Sequence, residues 1–341
     1  MPFDLTAFAR ANRAFFIWIV FAALLYMFRS LFGLVFITYV MCFVTHSLTS
    51  PLEQRFKIPR RLLVTLVYLA FVVLMAFFLF FLMPTLVREA REFTGQLTRA
   101  IGVIDAWVAH NLEDHTWVSP ALIQVKEFLT PEQVLAKGWG VLRGLLERGL
   151  QYMSWFFLGL VFSFMIMLDL PRIMHSVRSL RQTRLAGFYE ETAGSVILFA
   201  RVIGENFRAQ IIISAVDAVL MAFFLFILGV GNIVLLSTLV FLCGLIPVLG
   251  IILSSVPIAL MAVNSGGISL AIWSVVLIAM VSLLETYVLN PRIVSSVMSL
   301  NPVFTLIILY IAYSLFGMWG VLLGVPVAVY IHRQIVTNTS E

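Results

Sequence analysis

From Ala209 to Ile331 only three residues can carry a charge at neutral pH, Asp217, Glu285 and Arg292, and none does so between Ala218 and Leu284. A water-soluble domain must present polar residues on its outer faces, so no soluble fold keeps a stretch of this length dry. A lipid bilayer removes that requirement. The C-terminal part of the chain therefore reads as a bundle of membrane helices. The rest agrees. Of 341 residues, 62% are hydrophobic and 11% charged, against roughly 45–50% and 25% in ordinary soluble domains.

The net charge of +5 does not indicate nucleic-acid binding, because the basic residues fall in short clusters between apolar runs. Charge-free runs of spanning length, about 20 residues, lie near 14–28 (a short one), 31–50, 62–83, 149–168, 209–228, 233–263, 268–289 and 302–331, about eight apolar segments. Arg55, Lys57, Arg60 and Arg61 separate the second from the third, and Arg172, Arg178, Arg181 and Arg184 follow the fourth. Basic clusters between spans mark the cytoplasmic side, which places the N-terminus there too. Phe15 to Phe28, behind Arg10 and Arg13, reads as an uncleaved first span, since no small-residue cleavage site follows it.

Two hydrophilic insertions interrupt the pattern. In the outer one, Leu86, Ala90, Phe93, Leu97, Ile101, Ile104 and Val108 recur every three or four residues, the period of an amphipathic helix. Thr130-Pro131-Glu132-Gln133 then carries an N-cap, a first-turn proline and a capping-box glutamine, so a second helix is expected to start there and run into the fourth span. The inner insertion opens at Asp169-Leu-Pro171, another helix-start pattern, and reads as a helical hairpin. The expected organisation is therefore N-terminal membrane helices over 1–83, an extracytoplasmic amphipathic insertion over 84–148 and a fourth span over 149–168. A cytoplasmic hairpin over 169–208, a C-terminal membrane bundle over 209–333 and a short tail over 334–341 complete it. The fold class is all-α and polytopic.

Two segments are too long for one crossing. Residues 233–263 would reach about 46 Å as a straight helix, against a hydrocarbon core of about 30 Å, and contain Gly244, Pro247, Gly250 and Pro257. Residues 302–331 repeat the feature with Gly317, Gly320, Gly324 and Pro326. Glycine- and proline-interrupted segments in corresponding positions point to a transport path, because irregular backbone at membrane depth is tolerated only when buried in protein or lining a watery cavity. Broken or re-entrant segments are expected at both.

Intramembrane charges are costly and mark function by default. Asp217, well inside the fifth span, suits a cation or proton-coupling site, or a carboxyl that glues helices through Ser214 one turn away. Glu285 lies near the end of the seventh span, where headgroup water is in reach, and Arg292 follows Pro291. No phosphate-binding GxxxxGK[ST] loop, HExxH or GxSxG pattern occurs, so neither ATP use nor hydrolytic catalysis is indicated, and no cofactor is expected. His110 and His115 flank acidic residues in a polar turn that reads as a solvated loop. Cys42 and Cys243 sit in apolar runs without metal-ligand or disulfide patterning.

Three stretches in order resemble the autoinducer-2 exporter family of multi-span bacterial membrane proteins. They are Glu205-Asn-Phe-Arg208-Ala-Gln210, Gly244-Leu-Ile-Pro247-Val-Leu-Gly250 with Pro257 after it, and Val288-Leu-Asn-Pro291-Arg292-Ile followed by Leu300-Asn-Pro302 and the Gly317, Gly320, Pro326 block. Thr49-Ser-Pro51-Leu and Ile58-Pro59-Arg60 fit as well. Ser295 stands where many members have glycine. The resemblance implies a transporter of about eight helices in the bacterial inner membrane, homo-oligomeric, surrounded by membrane lipids. Its cargo would be a small polar solute, such as a quorum-sensing signal, or a monovalent cation in sodium or lithium/proton exchange. A non-transporting membrane scaffold is the alternative from another class.

Overall fold

The computed structural model describes residues 29–56, 58–112, 131–247, 249–289, 293 and 302–338, with scattered residues between 17 and 27. Most of the short first apolar segment, the turn carrying His115, and Asn290, Pro291, Arg292 and Ser295 fall outside the described residues. Among those described, all regular structure is helical: α1 Phe32–Phe56, α2 Arg60–Phe77, α3 Met83–Leu112, α4 Pro131–Ser179, α5 Ala186–Leu228, α6 Ile233–Gly244, α7 Leu249–Leu284, α8 Pro302–Phe316 and α9 Met318–Asn338. Five helical stretches are long and apolar enough to cross a bilayer, and three shorter apolar helices accompany them. The all-α, multi-pass architecture follows.

The chain divides into two compact units. The first takes residues 1–72, 150–205 and 330–341. Its core joins Val64 and Tyr68 of α2 to Leu160 and Met167 of α4, with the Tyr68 ring edge-on to Phe164 at 5.1 Å. Helix α1 buries only Gly33, Thr38, Thr45 and Thr49. Lipid tails are as apolar as leucine, so apolar burial does little to drive helices together in a bilayer. Small residues and interhelical hydrogen bonds do that work. Gly159 of α4 accordingly lies against Ile37, Gly204 of α5 against Phe43, and the Tyr39 hydroxyl donates to the Ala200 carbonyl.

The second unit takes residues 73–149 and 206–329. Met221, Leu225, Leu236, Val240, Ile258, Met261, Ile278 and Val281 form its core, with Phe93 of α3 packed on it. Helix α3 continues α2 through a π-helical turn, Phe78–Leu82, in which the Met83 N–H reaches the Phe78 carbonyl. The wider turn comes immediately before Pro84, whose missing N–H and ring would otherwise break the ladder. The amphipathic helix expected in the outer insertion therefore exists, and it packs against α6 and α7.

One local expectation needs correction. Helix α4 runs unbroken through Asp169-Leu-Pro171 to Ser179, so no new helix starts there. Proline at 171 costs one main-chain bond, to the carbonyl of residue 167, which is not enough to end a helix extended in both directions. The turn of the hairpin comes at Leu180–Gln182 and leads into α5 at Ala186. In the last segment the break is at Gly317, in the left-handed region at φ +60°. Pro326 and, in α7, Pro257 lie within helices.

Candidate functional site

Helix α5 is apolar around most of its circumference, but Asn206, Gln210, Ser214 and Asp217 fall within about a quarter turn of one another at 3.6 residues per turn. Asp217 lies eleven residues before the helix end at Leu228, about 16 Å along the axis, near the middle of a 30 Å hydrocarbon layer. It is 8% exposed, and its Oδ1 meets no hydrogen-bond donor. Ser214, fully buried one turn earlier, is equally without a partner at Oγ. A helix-gluing role for Asp217 would need a hydrogen bond, and neither its Oδ1 nor Ser214 Oγ makes one.

Facing this stripe is a helical hairpin built from the first over-long segment. Helix α6 has 12 residues, about 18 Å, and cannot cross the hydrocarbon layer. The chain turns at Leu245–Pro247, where Ile246 N–H bonds the Cys243 carbonyl and Gly250 N–H bonds Ile246. It returns along the first half of α7 as far as Gly266 and Gly267, whose non-helical angles divide that helix in two. The two ends of the hairpin meet at Gly231 and Ser265, N to Oγ 3.4 Å. The segment therefore enters and leaves on one side, as a re-entrant hairpin with its tip at Pro247.

The tip is held tightly to α5. Gln210 Nε2 donates to the Gly244 carbonyl, one of the carbonyls that a helix end leaves free. A Cβ on Gly244 would lie 2.9 Å from Ser214 Oγ, and one on Gly250 would overlap the Cys243 carbonyl. Both glycines are thus required by close approach. Asn206, Phe207 and Gln210 of α5, Leu245 and Pro247 of the tip, and Leu322 and Pro326 of α9 together line a crevice of about 10 Å³. Ligand pockets usually hold about 300–1,000 Å³, so this crevice is too small to hold a solute. Asn206 Nδ2, also buried, has no partner there.

A second hairpin supplies the other wall. Helix α8, 15 residues or about 22 Å, turns at Gly317 into α9. Gly320 sits so close to α8 that a Cβ would overlap the Ala312 carbonyl, and one on Gly324 would lie 3.0 Å from the Ala312 methyl. Glu285 is half-buried and opens the π-helical turn Glu285–Leu289 at the end of α7. Its carboxylate is near enough to Asp217 for the two to repel. Arg208 is exposed on α5, outside the crevice, and has partners of its own.

The structure thus brings together Gln210, Gly244, Pro247, Gly250, Asp217 and, at longer range, Glu285, with Gly324 and Pro326 beside the crevice. Pro257 lies three residues past Ser254 along α7 and contributes nothing to the crevice. Two contributors were not anticipated. Asn206 extends the stripe one turn outward, which a helical wheel of α5 alone would have shown. Glu89 of α3 accepts the Leu235 N–H at 2.6 Å on Oε2, and its main-chain carbonyl accepts Asn232 Nδ2 at 2.8 Å. A carboxylate on the first-turn N–H groups of α6 satisfies donors that the helix leaves free and complements its dipole. No sequence pattern links residues so far apart. Among the described residues, no group of His, Cys, Asp and Glu is arranged to hold a metal.

The family model described as AI-2E family transporter matches residues 15–339. A protein of Bacillus subtilis (strain 168) named "Putative transport protein YdbI" is 26% identical over 327 residues, covering 94% of this chain and 90% of the relative. A similarly named transport protein of Alkalihalophilus pseudofirmus is 24% identical, covering 94% and 86%. A protein of Halobacillus andaensis named "Sodium-lithium/proton antiporter" is 22% identical over 290 residues, covering 80% of each chain. With its membrane helices, its re-entrant hairpin and a family match over nearly its full length, the chain belongs to the AI-2E transporter family.

Proposed function

We propose that this transporter works by ion-coupled secondary transport, with Asp217 as the coupling carboxylate and the hairpin tip as the gate. The observation that carries the reading is the Asp217 side chain: buried near mid-membrane, without a hydrogen-bond donor at its Oδ1, beside an equally unpartnered Ser214 hydroxyl. An isolated carboxylate in that position is expensive unless it takes up a proton or a cation. Each choice changes the charge one helical turn from Ser214, which packs against Gly244 at the hairpin tip. Glu285 adds a second carboxylate whose repulsion favours filling the site with positive charge. In this reading the path runs along the Asn206–Asp217 face of α5, past Pro247 and Pro326. The cargo is a small polar solute, exported from the cell.

A second reading, monovalent cation/proton antiport, is favoured by the chemistry of the same site. Carboxylate, hydroxyl and carbonyl oxygens are hard donors suited to alkali and alkaline-earth cations rather than to soft metals. The relative from Halobacillus andaensis is named for that activity. The purified chain in liposomes with a pH-sensitive dye separates the two. Dissipation of an imposed proton gradient by sodium or lithium alone indicates antiport, whereas dissipation that also needs an organic solute indicates coupled solute transport. Asp217→Asn is expected to abolish either signal while the protein remains folded and elutes from a sizing column unchanged. Full ion-coupled flux in that variant would remove Asp217 from the mechanism and, with it, this proposal.

A further inference from the structure

Away from the path, the turn between α1 and α2 contains a guanidinium with no acceptor. Arg60, the first residue of α2, is half-buried, and both its Nε and its Nη2 are shielded from water without a hydrogen-bond partner. These two nitrogens point their hydrogens the same way. They form the side-on edge of the guanidinium, the fork that matches two oxygens of a carboxylate or phosphate. A charged donor pair left unmet and away from water is strongly unfavourable, and no acceptor among the described residues meets it, so the pair calls for an oxyanion.

Its surroundings identify that oxyanion. The turn joins two helices of membrane-spanning length, which puts it at headgroup level, and in sequence the stretch carries Arg55, Lys57, Arg60 and Arg61 against one nearby acid, Glu53. Arg55 and Arg61 are exposed, and the Arg55 guanidinium lies 6.0 Å from the Phe56 ring centre. From this turn Leu62, Leu66 and Leu69 run along one face of α2, each more than half exposed, with the i, i+4, i+7 spacing that lines up an acyl chain along a helix. A fork for a phosphate, a basic rim and an apolar stripe leading away from it form the outline of one phospholipid.

We propose that Arg60 is a bidentate site for the phosphate of an anionic phospholipid whose acyl chain lies along Leu62, Leu66 and Leu69. Arg55, Lys57 and Arg61 favour an anionic headgroup over a zwitterionic one, and Arg60 supplies the geometry. The site is independent of the transport path and of its coupling chemistry.

Native mass spectrometry of the full chain in detergent tests this, with phosphatidylglycerol, phosphatidylcholine or inorganic phosphate added. The wild type is expected to retain phosphatidylglycerol in preference to phosphatidylcholine. Arg60→Lys, which keeps the charge and loses the fork, is expected to weaken that retention about tenfold, the loss of one good charged hydrogen bond. Arg61→Lys and Arg55→Lys should leave it within about twofold, as exposed point charges do. Equal effects of all three substitutions would overturn the fork in favour of simple charge attraction. Displacement of the lipid by millimolar inorganic phosphate, with the same dependence on Arg60, would overturn the lipid and leave a free-anion site. If Arg60→Lys does not fold, photo-crosslinking of a headgroup-labelled phosphatidylglycerol to the wild type decides. Adducts within residues 58–69 are expected, and adducts confined elsewhere overturn the proposal.

Discussion

At the scale of single residues, the molecule separates positions that look alike in sequence. Its glycines illustrate this. Gly320 lies where a methyl would overlap the Ala312 carbonyl, main chain that cannot swing aside, whereas Gly95 and Gly102 on α3 have open space around them. Gly320→Ala is therefore expected to lower stability by about 1–3 kcal/mol, the usual cost of overpacking. Gly95→Ala should raise it by up to about 1 kcal/mol, because alanine restricts the unfolded chain and favours the helix. Thermal unfolding of the two variants in the same detergent checks both signs at once. The intramembrane charges separate in the same way. Asp217 was legible as a suspect from its setting in an apolar run, since charge in a membrane span is a one-residue signal. The lack of a hydrogen-bond partner at its Oδ1 was not, because that depends on which helices pack around α5.

At the scale of elements, the re-entrant hairpin is held at both ends by side chains from other helices. Glu89 of α3 secures the first turn of α6, and Gln210 of α5 holds its last carbonyl at the tip. These two contacts fix α6 at both of its ends. Glu89→Ala should strip the Leu235 N–H of its charged acceptor, at a cost of about 1–3 kcal/mol, and raise amide hydrogen exchange in the first turn of α6. Glu89→Gln, which retains an acceptor oxygen, should fall between. Unchanged protection of residues 234–236 in Glu89→Ala would show that water or another group replaces the carboxylate. The over-length of residues 233–263 and their glycines and prolines were enough to expect a break. They did not say which residue would break the chain. In the first segment the turn surrounds Pro247, and in the second it comes at Gly317 instead of Pro326, because a left-handed φ needs glycine while proline is tolerated inside a membrane helix.

For the whole molecule, large apolar side chains point outward along the spans, among them Phe80, Phe226, Tyr310 and Phe316, all more than two-thirds exposed. In water such a surface aggregates, and in a bilayer it meets lipid. Alkaline carbonate washing of membranes should consequently leave the chain in the pellet, and its release into the supernatant would contradict a multi-pass arrangement. The sequence by itself determined the solvent, the helical class and the transporter family, because each is written in local composition, period and ordered short motifs. It also located the path coarsely, through charge placed where charge is costly. Only the tertiary structure decided that residues 233–265 dip in and return on one side, that Gln210 and Glu89 pin that hairpin, and that Gly244 packs against Ser214. Those outcomes depend on contacts between residues tens to more than a hundred positions apart. Close approach of backbones in lipid is selected by shape and hydrogen bonding, for which no single stretch of sequence carries a period.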